Sequence, residues 1–141
     1  MAAVNTVPIV SKVGDIQWND AQPVLAENDT DDLTSGTIYK VFTADATNGG
    51  FVQRIRFRPI GTNTATIARI WISNTGSTGT ALNNVLWDEI TLAATTESEV
   101  AALALYELPL NFALPPGYRI HVTLKTAVAA GYHVSVIGGK Y

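Results

Sequence analysis

Between Tyr106 and Lys125 the chain alternates apolar and polar residues with a period of two, and this pattern constrains the fold more than any other feature. It runs through Tyr106-Glu-Leu-Pro-Leu-Asn-Phe112 and again through Tyr118-Arg-Ile-His-Val-Thr-Leu-Lys125. Successive side chains of a strand point to opposite sides, so a strand with one buried face requires this period. Pro116-Gly117, between the two runs, suits the central positions of a type II turn. A hairpin closed there places Phe112 opposite Ile120, Leu110 opposite Val122 and Leu108 opposite Leu124. On its other face Glu107 stands across from Lys125. A slip of one residue would send every apolar side chain to the wrong side, so the register is well specified.

Further strands are expected upstream and downstream, punctuated by Gly, Pro and Asn. Ile38–Phe42 is the first, and Asn48-Gly-Gly50 ends it. Phe51–Phe57 follows, with Phe51, Ile55 and Phe57 on one face and Arg54, Arg56 and Arg58 on the other. Thr66–Ile72 and Val85–Leu92 come next, and Tyr132–Val136 is the last. Thr95–Leu103 has capping hydroxyls, early acids and then alanines, which predicts a short helical turn. Short strands at this spacing predict an all-β chain, an antiparallel two-sheet sandwich of jelly-roll type. Residues 1–36 read as an extended N-terminal arm and residues 37–141 as the sandwich.

The arm carries most of the charge asymmetry. Residues 1–32 hold Lys12 against six acids, a net of −5, whereas residues 33–141 carry +2. Its apolar residues Val7, Ile9, Val10, Ile16 and Trp18 are expected either to pair with a sheet edge elsewhere or to fold back as the first strand of the same sheet. An overall charge of −3 gives no footprint for nucleic acid. No apolar run reaches the roughly 18 residues of a membrane span. The apolar residues near the start follow no basic stretch, which argues against a secretory signal. Cysteine is absent, which excludes disulfides and thiolate metal sites. Only 15% of residues are charged, low for a soluble monomer, so either part of the surface is covered by a partner or the surface is rich in Thr, Ser and Asn.

Residue types suited to catalysis are sparse. His121 and His133 are the only histidines, and neither has a Ser nucleophile or a carboxylate placed beside it on its strand face. Asp88 and Glu89 are consecutive in a strand and point to opposite faces, so they form no acid/base pair. Glu27–Asp32 has the acidity of a calcium loop but lacks its central Gly and closing Glu, and reads as a solvated turn. No catalytic, cofactor-binding or metal-binding residues are expected. The candidate interface is richer. A hairpin of residues 66–73 and 85–92 that sets Trp71 opposite Trp87 also sets Arg69 opposite Glu89. Two tryptophans and an ion pair would then face outward as interface anchors, unless a loop or the arm covers them. Arg54, Arg56 and Arg58 form a basic stripe, a dock for an acidic partner or a solvated face. Trp18 and Ile9 are the arm's candidates.

Several segments also carry a resemblance. They are Val41-Phe-Thr-Ala44, Arg58-Pro-Ile-Gly-Thr-Asn63, Ala68-Arg-Ile-Trp-Ile-Ser-Asn74 and Glu89-Ile-Thr-Leu-Ala-Ala-Thr-Thr96. Leu108-Pro-Leu110, Leu114-Pro-Pro-Gly-Tyr118 and the ending Val128–Tyr141 complete the set. On these the chain, from about Val41 onward, resembles small virion proteins of tailed bacteriophages and prophages. Its final Gly-Gly-Lys-Tyr departs from the acidic residue such chains carry before the terminal Tyr. The resemblance implies a jelly-roll head decoration or cement protein on the capsid surface, assembled in the host cytoplasm. It implies the major capsid protein and further copies of the chain, as a homotrimer, for partners. It brings no catalytic residues and no cofactor. The alternative is a carbohydrate- or receptor-binding jelly roll of a tail or fibre, which would present its aromatics in a cleft.

Overall fold

The computed structural model describes residues 11–141, which form eight antiparallel strands in two four-stranded sheets. The strands are β1 (Val13–Trp18), β2 (Tyr39–Thr43), β3 (Gly50–Pro59), β4 (Thr66–Ser73), β5 (Asn84–Leu92), β6 (Tyr106–Leu114), β7 (Arg119–Leu124) and β8 (Tyr132–Lys140). The first sheet has the order β1-β8-β3-β6 and the second β2-β7-β4-β5. Pairing is nested, with β1 on β8, β2 on β7, β3 on β6 and β4 on β5. The all-β sandwich expected from the alternation is therefore present.

The core lies between the sheets and takes every second side chain. Val52, Ile55 and Phe57 of β3 and Val134 and Val136 of β8 meet Ala68 and Ile70 of β4 and Ile120, Val122 and Leu124 of β7. A bulge between Val52 and Arg54 turns Val52 inward, and Phe51, expected in the core, is only partly buried. Burial of these branched and aromatic side chains contributes roughly 1.5–3 kcal/mol each, which makes the alternating residues the main source of stability.

The β6–β7 hairpin does not form. The turn is as expected, with Gly117 at φ 76° and the Tyr118 N–H donating to the Pro115 carbonyl at 3.2 Å. Beyond it the strands part. β6 pairs with β3, while β7 runs between β2 and β4 in the other sheet. Alternation specifies a buried face and not a neighbour, and the two apolar faces belong to opposite sheets instead of lying side by side. Ile120, Val122 and Leu124 are fully buried as expected, and Phe112 partly. Glu107 and Lys125, predicted to face each other, instead lie near Arg56 and Asp29 respectively. Nor do Thr95–Leu103 form a helical turn; the described residues hold one short 3-10 helix, Ala81–Asn83.

Of the two placements expected for the arm, the fold-back onto its own sheet is the one present from residue 13 onward. Val13–Trp18 is the edge strand of its own sheet, paired along its length with β8. The chain then closes one end of the sandwich. Asp20 N–H donates to the Lys40 carbonyl, Val24 pairs with Tyr132, and Asn28 N–H donates to the Leu124 carbonyl. Asn28 organises the next loop, donating to the Ser35 and Thr37 carbonyls at 2.9 and 3.0 Å. This loop crosses the outer face of the second sheet, where Leu33 is completely buried outside the main core. Here scattered apolar residues gain from the sandwich the burial that they lack alone.

Candidate interface surfaces

Trp71 and Arg69 are not interface anchors. Trp71 is 1% exposed, and its Nε1–H donates to Thr123 Oγ1 at 3.0 Å. The Arg69 guanidinium lies 5.4 Å from the Trp71 ring centroid. Its Nη1 donates to the Thr30 carbonyl and to Asp31 Oδ1, both at 3.1 Å, and Nε stands 3.6 Å from Glu89 Oε1. The pairing of Arg69 with Glu89 is thus as expected, but the acidic loop supplies the closer carboxylate. That loop buries the outer face which the alternation alone would leave in water.

Trp87 does not stand opposite Trp71. A bulge between Ile70 and Trp71 pairs Trp71 with Leu86 and leaves Trp87 over as the extra residue. Its ring reaches toward the first sheet, edge-on to Phe112 with centroids 5.0 Å apart. It remains 51% exposed at the open β5–β6 margin of the sandwich.

The basic stripe is real but engaged within the chain. Arg56 Nε is 2.9 Å and Arg54 Nε 3.9 Å from the Glu107 carboxylate, and Arg58 Nη1 donates to the Leu103 carbonyl at 3.0 Å. Half-exposed pairs of this kind contribute little to stability, about 0–1 kcal/mol. They do neutralise part of the outer face of the first sheet.

That face carries what the sequence reading placed on an arm. The strand registers set Trp18 in a row with Ser135, Arg56 and Glu107, and Ile16 in a row with Ile137, Arg54 and Pro109. Ile16 and Trp18 are 61% and 62% exposed, while polar Asp15 and Gln17 turn the other way. The inversion has a local cause. The Gln17 side-chain amide donates to the Thr43 carbonyl and accepts from the Thr43 N–H, both at 2.9 Å, so it occupies the backbone edge of β2. No apolar side chain satisfies those groups. Ile9, the other candidate of the arm, lies outside the described residues.

His121 is buried on the outer face of β7, next to Lys40 and Trp71 on the flanking strands. Neither ring nitrogen has a hydrogen-bond partner among the described residues. Burial first, then the Arg119 and Lys40 charges, lower its pKa to about 4, against a smaller opposing pull from Asp20. A neutral ring without polar partners is a packing element. His133 is exposed on the arginine face, across from Arg58. Among the described residues no three His, Cys, Asp or Glu side chains gather as a metal site. An open hollow of about 580 Å³ beside Glu27, Asp29, Thr66 and Lys125 is partly bridged by the Lys125–Asp29 pair at 3.6 Å.

No protein-family model, curated protein or solved structure matches the chain.

Proposed function

We propose that this protein is a non-enzymatic structural component of a tailed-phage virion, a decoration or cement protein that binds the outer surface of the head. The observation that carries the reading is the placement of Ile16 and Trp18. They are large, exposed and set on an open sheet face beside an arginine row, which suits contact with a broad protein surface. The resemblance from about Val41 onward supplies the virion context and the major capsid protein as partner. We also read the sandwich as a jelly roll, on the support of the nested pairing of β1 through β8. A homotrimer belongs to the same reading.

Purified protein mixed with phage heads that lack it tests the proposal by co-sedimentation. Saturable binding is expected, weakened by Trp18→Ala, and light scattering should give a multiple of three chain masses. Heads that sediment without the protein would overturn the reading.

The binding-module alternative has one observation in its favour, the half-exposed Trp87 ring at the sandwich margin. Glycan-array binding lost in Trp87→Ala, without head binding, would select it.

A further inference from the structure

The described residues leave four sheet edges, and three are blunted. β2 has a bulge and the Gln17 amide on its backbone; β5 has a bulge and carries Asp88 and Glu89; β6 contains Pro109 and Asn111 at φ 52°. Bulges, charges and prolines are the usual protection of an edge against pairing with another chain. β1 has no proline and no charge on its exposed face; its one charge, Asp15, is buried on the inner face. Its six pairs with β8 run without a register shift.

Its hydrogen-bonding pattern follows from one contact. Asn19 N–H donates to the Val134 carbonyl, and Val134 N–H donates back to the Asn19 side-chain Oδ1, so the backbone groups of Val134 face β1 in the register that sets Trp18 against Ser135. Hydrogen-bonded pairs alternate along an antiparallel ladder. Residues 13, 15 and 17 therefore also bond toward β8. The N–H and C=O groups of Gly14, Ile16 and Trp18 point away from the sheet, and these three residues are exposed.

We propose that this edge pairs with β1 of a second copy of the chain, antiparallel about a twofold axis at Ile16. That centre matches the outward-pointing groups of both strands, giving Ile16 to Ile16 and, twice, Gly14 to Trp18, with six main-chain hydrogen bonds. Directly opposed residues share a face, so both isoleucines meet at the axis and each indole lies over the glycine of the other copy. Gly14 has the room, because a Cβ built there meets nothing within 4 Å. A strand glycine covered by a cross-strand aromatic is a favourable pair. A centre at Asp15 would set two carboxylates against each other, and a centre at Gln17 would leave Gly14 beyond the paired strand. The contact is isologous and closes at two copies. It is separate from the threefold contact that the virion reading implies and does not depend on that reading.

The absence of cysteine allows a register-specific test on the full chain. Opposed Cα atoms of a hydrogen-bonded pair are about 5.5 Å apart, within disulfide reach. Ile16→Cys should therefore oxidise to a covalent dimer. Trp18→Cys should not bridge to itself, because its counterpart is displaced by four residues, about 14 Å along the strand. A mixture of Gly14→Cys and Trp18→Cys should yield the heterodimer. Ile16→Pro removes an N–H that β8 does not use, so melting should stay near that of the parent. Self-association should weaken roughly 30-fold through the two lost bonds. Ile16→Cys bridging no faster than Leu82→Cys, a control at a 94% exposed residue of the 3-10 helix, would overturn the proposal. So would Trp18→Cys bridging as readily as Ile16→Cys.

Discussion

Acid should destabilise this protein through His121 before it reaches the carboxylates. The folded-state pKa is about 4, lowered by burial and by Arg119 and Lys40, whereas the unfolded chain titrates near 6.5. A base with a depressed folded pKa makes its full contribution to stability above the unfolded value, and loses it as pH falls from about 6.5 toward 4. At about 1.4 kcal/mol per unit the whole loss is roughly 3 kcal/mol, with roughly 2 kcal/mol of it reached by pH 5. Asp32, held low by the Thr34 hydroxyl and N–H, and Asp45, held low by the Asn48 and Thr47 amides, also resist protonation. Their contribution is present above the ordinary carboxylate range and is lost only below it, so the windows separate. Urea denaturation at pH 7.5, 6, 5 and 4.5 measures the effect, with His121→Leu as the comparison because it removes the titration and keeps an apolar side chain. The parent should lose stability relative to the variant across this range. Parallel curves between pH 7.5 and 4.5 would show that His121 titrates normally and that the cover over β7 opens readily to water.

Trp71→Ala should cost about 3–5 kcal/mol in chemical denaturation, as an emptied site with an orphaned Thr123 hydroxyl. Trp87→Ala, at a half-open margin, should cost nearer 1 kcal/mol, and the reverse order would refute the assignment of inside and outside. Gly138→Ala should lower stability by about 2 kcal/mol, since the added Cβ would run into the Phe51 carbonyl oxygen; an unchanged melting temperature would contradict the close β3–β8 approach. Arg56→Ala should change stability by no more than about 1 kcal/mol, because its Glu107 pair is exposed to solvent; a loss well above that would mark the arginine row as structural.

The alternation in β6 and β7 determined which side chains face the core, and the Pro116-Gly117 pair determined the turn between them. Those are local properties: a period of two requires one buried face, and a positive φ favours glycine. Which strand lies beside which was decided by the tertiary structure. β7 needed partners on both edges and took β2 and β4, so the predicted hairpin gave way to two strands facing each other across the core. The β4–β5 register was legible as far as Arg69 and Glu89, where an ion pair marks it. Beyond that point a single bulge turned Trp87 toward Phe112, and no periodic pattern announces an extra residue. His121, Trp71 and Arg69 lie on a face that the sequence leaves polar and solvated. The burial of Arg69 and Trp71 depends on a loop some forty residues earlier, which Asn28 organises and whose Thr30 carbonyl and Asp31 carboxylate hold Arg69. The exposed Ile16 and Trp18 reverse the usual rule because Gln17 is drawn inward to the backbone edge of β2. That edge exists only once both sheets have assembled.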